Sequence, residues 1–258
     1  MMHVRPLVLE RTASPDPCAT CSARPYSVCS AIEDKDLARL ASVAQIISVT
    51  PGRSFIDEGD TAQHFFNITA GTAKLFKLLP DGRRQITGFA GVGHFLGLAV
   101  STTYAFGAEA VEPMRICRFT RPRLRMVLDD FPALEHKLLQ VASNELVVAQ
   151  EQMLLLGRKT ARERVASFLI ARADSQSLQP PGCTHTSRPS VVWLPMTRTD
   201  IADYLGLTIE TVSRTFTRLR GEKLIETPTP SEVVIRNHAG LERLATGLEH
   251  GEGSRGRR

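Results

Sequence analysis

Short apolar runs and turn signals alternate along the first half of the chain. Between Ile46 and Arg121, turn sequences such as Pro51-Gly52 and Pro80-Asp81-Gly82 recur at roughly ten-residue spacing. Strand-like pieces lie between the turns, for example at residues 65–68, 73–78 and 114–119. Many short strands joined by frequent turns are typical of an antiparallel sandwich or barrel.

Apolar residues recur at helical spacing on both sides of this β region. Residues 33–44 predict a short helix with Leu37, Leu40 and Val43 on one face. Residues 132–157 predict a longer helix in which apolar residues recur at alternating steps of three and four, as in the a and d positions of a coiled coil. These positions, called the seam below, are Leu139, Ala142, Leu146, Ala149, Met153 and Leu156.

The seam allows two interpretations. It could be the buried face of an amphipathic helix that lies on its own barrel, or the contact face of a coiled-coil dimer. Small side chains at Ala142 and Ala149 would let two helices approach closely, which slightly favours the dimer. Asp129-Asp130 and Pro132 mark the beginning of this helix, and Gly157 can end or kink it.

The remaining chain divides into helical, loop-like and tail-like pieces. Residues 158–173 predict a helix with Val165, Phe168 and Leu169 inward, and residues 226–236 predict a small hairpin. Residues 175–190 are rich in Pro, Ser and Thr and predict a loop. Residues 239–258 are expected to be a disordered basic tail, because almost no apolar residue follows Leu248.

A helix-turn-helix is predicted between Thr199 and Arg220. Thr199 can cap a first helix, Gly206 permits the positive φ of a tight turn, and Thr208 can cap a second helix. Small Ala202 lets the helices cross closely, and the second helix turns Val212, Phe216 and Leu219 inward. Its outward side chains, together with its cap, are suited to reading base edges. They are Thr208, Glu210, Ser213, Arg214, Thr217 and Arg218.

The charge of this part of the chain is a weak indication of a polyanionic partner, and a solvated surface that is basic for no functional reason is the alternative. The 258 residues carry a net charge of +5. Residues 1–157 hold 16 basic and 16 acidic side chains, whereas residues 158–236 hold 12 basic and 8 acidic ones. The chain has no run of about 18 apolar residues and no apolar core near its start, so we expect a cytoplasmic protein without membrane association.

Five cysteines in a cytoplasmic chain call for an explanation other than disulfides. Cys18, Cys21 and Cys29 form a Cys-x2-Cys-x7-Cys group, and Cys117 lies far away on a predicted strand. Four thiolates suit zinc or an iron–sulfur cluster, and the wide second gap mildly favours the cluster. Three reduced thiols without a ligand remain the alternative, and Cys183 is most simply a bystander.

The order of these parts resembles the Crp/Fnr family of bacterial transcription regulators. The fold class is then α+β, with a cyclic-nucleotide-binding-like β-barrel, a long dimerisation helix and a C-terminal winged helix-turn-helix. The resemblance is closest to the oxygen-sensing FNR branch. It rests on residues 18–29, on Gln85-Ile-Thr-Gly-Phe89 and on Glu210-Thr-Val-Ser-Arg214. The implied domains are residues 1–30 (cluster segment), 31–130 (barrel), 131–157 (dimerisation helix), 158–238 (DNA-binding domain) and 239–258 (tail).

The resemblance implies both a cofactor and partners. FNR proteins bind a 4Fe–4S cluster, whose ligands by position would here be Cys18, Cys21, Cys29 and Cys117. Glu210, Ser213 and Arg214 would read a palindrome of the TTGAT…ATCAA type, and Ile209 before the Glu favours that half-site over the one read by the cAMP-receptor branch. The expected partners are double-stranded DNA, RNA polymerase and a second copy of the chain.

The sequence argues against cAMP binding and enzymatic activity, and it leaves two other types of regulator as alternatives. The family's cAMP-binding members use a Gly-Glu pair and an Arg-Ser/Thr pair, where this chain has Gly97-Leu98 and Phe106-Gly107. No cation would meet the phosphate, so we expect no cAMP binding. A phosphate loop, a His-rich metal motif and a nucleophile elbow are all missing, which argues against an enzyme. The alternatives are a cluster-free, FixK-type or thiol-regulated activator and a zinc-stabilised regulator.

Overall fold

The apolar runs of the first half of the chain pair as antiparallel strands in two sheets. The computed structural model describes residues 8–9, 18–98, 102–177 and 190–248. One sheet has the strand order β1-β2-β9-β4-β7, and the other has the order β3-β8-β5-β6. The strands are β1 Val8–Leu9, β2 Ala44–Val49, β3 Ser54–Ile56, β4 His64–Ala70, β5 Ala73–Leu78, β6 Arg84–Ala90, β7 Phe95–Leu96, β8 Gly107–Ala110 and β9 Met114–Thr120.

Two apolar clusters lie on opposite faces of the five-stranded sheet, because successive strand residues point to opposite sides. The first cluster draws buried residues from both sheets, including Phe66, Ile68 and Ile116. The second contains Phe119 and the helix residue Leu124, and is covered by the segment before β2. The predicted antiparallel β structure is therefore confirmed, and the three strand-like pieces lie in β4, β5 and β9.

Three helices accompany the sheets: α1 Leu37–Ala41, α2 Arg121–Asp130 and α3 Pro132–Arg158. The helix predicted over residues 33–44 is shorter than expected, because a 3-10 turn occupies Asp34–Asp36 and β2 begins at Ala44. Helix α2 was not predicted, and Asp129-Asp130 belong to its end. Only Leu124 and Val127 of α2 are buried. Two apolar positions are too few to indicate a helical pattern in the sequence.

Contacts between Cα atoms divide the chain into two compact units, Met1–Val147 and Val148–Arg258. The second unit contains α4 Ala161–Ser177, α5 Arg198–Leu205, α6 Ile209–Gly221 and α7 His238–Ala245. Its three-stranded sheet has the order β10-β12-β11, from β10 Val191–Trp193, β11 Ile225–Thr229 and β12 Glu232–Ile235. The predicted hairpin is confirmed as β11 and β12, and β10 is an unforeseen third strand.

Helix α4 confirms the predicted helix but runs further along the chain. Val165, Phe168 and Leu169 are buried, as expected. The helix continues to Ser177, so the first residues of the predicted loop are helical. The remainder of that loop up to residue 189, with Cys183, lies outside the described residues.

The prediction of a disordered tail from residue 239 is wrong at its beginning. Helix α7 occupies His238–Ala245, and the side chain of Asn237 caps it by accepting from the backbone nitrogen of Gly240. Leu241 and Leu244 are buried, and α7 packs on α4. Helix α7 is stabilised by the burial of its apolar face against the rest of the unit. Residues 249–258 lie outside the described part of the chain.

Among the described residues, every helix is too short or too polar to cross a membrane.

Candidate functional site

The three N-terminal cysteines lie in a segment held by single turns rather than by a regular helix or strand. Two 3-10 turns, Arg24–Tyr26 and Val28–Ala31, follow Cys21. The guanidinium of Arg24 donates to the carbonyl of Ile32 at 2.6 Å, which closes the segment on itself. The hydroxyl oxygen of Ser27 accepts from the backbone nitrogen of Cys29 at 3.3 Å. These bonds give the irregular segment a defined path.

The fourth cysteine comes from the sheet. Cys117 lies in β9, opposite Ile46 of β2 and Asn67 of β4. Cys18, Cys29 and Cys117 all pack against the second apolar cluster. The fold thus brings a strand cysteine to the same apolar cluster as cysteines almost a hundred residues earlier in the chain.

Burial and neighbouring thiols raise the pKa of two of these cysteines. Burial first, and then the charges of Cys29, Cys21 and Cys18, raise the pKa of Cys117 to about 12. Burial also raises the pKa of Cys29, against a smaller lowering by the hydrogen bond to Ser27. Because burial disfavours the charged form, the thiols of Cys117 and Cys29 stay protonated at neutral pH, and a cationic group bound to them would favour their thiolates.

We tested whether this arrangement suits a metal group. Within the described ranges, His, Cys, Asp and Glu side chains form no group of three or more placed to hold one metal ion. A single zinc ion would draw all of its sulfur ligands to about 2.3 Å. Four soft, half-buried thiols, three of them packed on the second apolar cluster, suit an iron–sulfur group better, because its sulfur ligands bind different iron atoms. Cys18, Cys21, Cys29 and Cys117 would hold it.

The helix-turn-helix forms as predicted except for its first cap. Thr197, not Thr199, caps α5, because its hydroxyl and the carboxylate of Asp200 form a reciprocal capping box. Gly206 ends α5 at φ +60°, where an added Cβ would lie 3.2 Å from Leu156. The hydroxyl of Thr208 accepts from the backbone nitrogen of Thr211 and caps α6.

Helix α6 has one buried apolar face and one exposed polar face. Val212, Phe216 and Leu219 are buried, whereas the side chains expected to read DNA are exposed. The guanidinium of Arg198 lies 3.6 Å above the ring of Phe216 and fixes the start of α5 on α6. Hydrogen bonds keep the pKa of Glu210 below its usual range, so this carboxylate is charged at neutral pH. The exposed side chains are Thr208, Glu210, Ser213, Arg214, Thr217 and Arg218.

Most of the seam on α3 is exposed. Leu139, Leu146 and Met153 are 65%, 61% and 70% exposed, and Ala142 and Ala149 are exposed as well. Only Leu156 is half-buried. Leu134 and Leu138, which lie off the seam, are the α3 residues buried in the second apolar cluster. A different face of α3 therefore covers the barrel, and most of the seam is exposed.

Arg164 joins the end of α3 to the helix-turn-helix and was not foreseen. Its guanidinium donates to the carbonyls of Leu156, Leu205 and Lys159, each at 2.8 or 2.9 Å. The carbonyls of Leu156 and Leu205 lie in the last turns of α3 and α5, where carbonyls lack an intrahelical partner. In the sequence, Arg164 is an Arg that follows a predicted helix end. This pattern is too common to indicate the role of Arg164.

Comparisons with known proteins identify both units. Residues 46–131 match the model of the cyclic nucleotide-binding domain, and residues 163–244 match the model of the Crp-like helix-turn-helix domain. The transcriptional activatory protein AadR of Rhodopseudomonas palustris is 42% identical over 205 residues, which cover 80% of this chain and 83% of AadR. The chain belongs to the Crp/Fnr family.

Two further Crp/Fnr proteins extend the match. The transcriptional activator protein FnrL of Cereibacter sphaeroides is 34% identical and covers 93% of this chain and 94% of its own length. The solved structure of FixK2 from Bradyrhizobium japonicum has a TM-score of 0.71 at 33% identity, covering 78% of this chain and 97% of FixK2. Crp/Fnr proteins are transcription regulators rather than enzymes.

Phe106, Gly107 and Gly97, on which the expectation of no cAMP binding rests, lie in apolar or tightly packed surroundings. Phe106 packs against the first apolar cluster. A Cβ added to Gly107 would lie 2.6 Å from the ring of Phe76. The carbonyl of Gly97 accepts from the guanidinium of Arg121 at 2.9 Å. Residues 99–101 lie outside the described part of the chain.

Proposed function

We propose that this protein is an oxygen-responsive transcription regulator of the FNR type. It binds a palindromic site of the TTGAT…ATCAA type as a homodimer while a 4Fe–4S cluster is intact at low oxygen. The observation that carries the proposal is the position of Cys117, which lies on the same apolar cluster as Cys18 and Cys29. The same cluster also contains Leu134 and Leu138 at the start of the dimerisation helix.

The chain's own residues would connect the thiols to DNA binding. Cys18, Cys21, Cys29 and Cys117 would hold the 4Fe–4S group, which would supply the reaction with oxygen. The N-terminal segment that carries three of these ligands covers the second apolar cluster beneath α3. Release of the N-terminal segment exposes the second apolar cluster and loosens α3 near Leu134. The population then shifts from dimer to monomer. A dimer places two α6 helices about one DNA turn apart, as a palindrome requires.

A cluster-free, FixK-type or thiol-regulated activator is the second candidate, favoured by the similarity to FixK2. Such a protein would bind DNA in air. The raised pKa of Cys117 and Cys29 argues against reactivity of these two thiols, because the nucleophile is the thiolate. A zinc-stabilised regulator is a third possibility. In each case RNA polymerase is the expected partner at promoters, and cAMP is not a ligand.

One experiment separates these candidates. The protein is purified without oxygen, its absorption spectrum is recorded, and iron, sulfide and zinc are measured. DNA binding to the palindrome is then compared before and after exposure to air. We expect iron and sulfide in equal amounts, a visible absorption band, and DNA binding that is lost in air. DNA binding that persists in air without iron would favour the FixK-type candidate, and zinc alone would favour the third.

A further inference from the structure

Asn67 is a polar residue on the otherwise apolar face that carries the cysteines. It lies in β4 between Phe66 and Ile68, whose side chains enter the first apolar cluster. Because strand residues alternate, Asn67 points to the opposite side, where Phe65 packs on the second cluster. Its side chain is 1% exposed. An amide is thus buried on the face where the thiols lie.

The Asn67 amide lies near one thiol, and its strand position is paired with that of a second cysteine. Asn67 is directly opposite Cys117 in the register of β4 and β9. Its Nδ2 atom lies 4.0 Å from the Sγ atom of Cys29, at the far limit for an N–H···S hydrogen bond. Asn67 is therefore paired with the strand cysteine and lies close to the last cysteine of the N-terminal segment.

The amide is not explained by the stability of the sheet. Within the described residues, Oδ1 of Asn67 is buried and has no hydrogen-bond partner. A buried polar atom left unpaired costs about 1–3 kcal/mol, and Asn is a poor strand former. An apolar side chain of the same size, such as Leu, would suit this position better if packing alone mattered.

We propose that Asn67 is a positioning residue that donates a hydrogen bond from Nδ2 to the thiolate of Cys29 when the cluster is bound. This inference rests on the proposed function and deepens it. Donors to ligand sulfurs orient the ligand and withdraw charge from it, and they tune the stability and reduction potential of iron–sulfur groups. A thiolate accepts a stronger hydrogen bond than a thiol, so the contact gains strength only in the loaded protein.

The test compares Asn67→Leu and Asn67→Ala with Ile68→Val in the full-length protein. Both Asn67 variants lose the donor but differ in shape. Ile68 is fully buried in the same strand and faces away from the thiols, so Ile68→Val controls for weakened packing. Two quantities are measured without oxygen: the unfolding midpoint of the cluster-free protein, and the rate at which loaded protein gives up iron to a ferrous chelator.

We expect the cluster-free midpoint of Asn67→Leu to be equal to or above that of the wild type, while its iron release is about tenfold faster. Asn67→Ala should also release iron faster, and Ile68→Val should lower the midpoint and release iron at the wild-type rate. Wild-type iron release in both Asn67 variants would overturn the inference, as would failure of both to fold. A wild type that binds no cluster would instead refute the proposed function, and this inference with it.

Discussion

The guanidinium of Arg164 donates to the backbone carbonyl of Leu205 across 2.8 Å, at the end of the first helix of the helix-turn-helix. A second nitrogen of the same side chain donates to the carbonyl of Leu156, near the end of α3. Gln152 of α3 makes a parallel contact, in which its Nε2 atom donates to the carbonyl of Tyr204 at 2.9 Å. The last turns of α3 are thus bonded to the element that positions α6.

We expect Arg164→Met to lower the free energy of unfolding by about 1.5–3 kcal/mol, because it removes charged hydrogen bonds and keeps the aliphatic stem. DNA affinity should fall alike on all sequences, since α6 itself is unchanged. Chemical denaturation and binding to specific and unrelated DNA measure the two effects. Arg158→Met, at an exposed position at the end of α3, is the matched control and should leave both nearly unchanged.

The second prediction concerns base reading by α6. Arg214→Ala should weaken binding to the palindrome by about 1–3 kcal/mol and relax the preference at one base position in each half-site. Binding to a panel of single-base variants of the site measures this. Arg243→Ala removes the same charge from an exposed position on α7 and should have little effect. An equal loss on every sequence would show that Arg214 contacts only the backbone of DNA.

The third prediction concerns the thiols. Cys21→Ala should give an iron-poor and mainly monomeric protein, because one ligand of the cluster is missing. Iron analysis and light scattering without oxygen check the two parts of this expectation. Cys183→Ala is the control, because it makes the same substitution at a cysteine outside the proposed ligand set. Its iron content and its dimeric state should equal those of the wild type. The sensing model fails if Cys21→Ala binds the palindrome under nitrogen as tightly as the wild type does.

The fourth prediction tests the seam. Leu146→Glu should make the protein monomeric under nitrogen, because a carboxylate cannot be buried in an apolar dimer contact without a partner. Met126→Glu places the same side chain at another exposed apolar position, on α2, where 57% of the residue is accessible. Sedimentation equilibrium should show a dimer for Met126→Glu. A Leu146→Glu dimer of wild-type stability would mean that the seam is not the contact face.

The fifth prediction is that cAMP does not bind. Phe106 and Gly107 offer no positive charge to a phosphate, and the ring of Phe76 occupies the space beside Gly107. Titration of the protein with cAMP in a calorimeter should give only the heat of dilution. Binding with micromolar affinity would contradict this and reopen the question of the effector.

Local patterns in the sequence determined the elements that depend on near neighbours. The helix-turn-helix, the strands and the seam helix were predicted because apolar spacing, Gly206 and Thr208 act within a few residues of each other. The first cap was misplaced by two residues because Thr197 and Thr199 look equally suitable until the carboxylate of Asp200 is seen to bond Thr197.

Only the tertiary structure decided which distant residues meet. The spacing of the N-terminal cysteines indicated a metal group, but strand register placed Cys117 opposite Asn67, and packing brought Cys29 within reach of the Asn67 amide. The seam predicted a contact face, yet its exposure depended on Leu134 and Leu138 being the residues of α3 that cover the barrel. Such contacts join residues far apart in sequence, and periodicity reports only which face is apolar, not what lies against it.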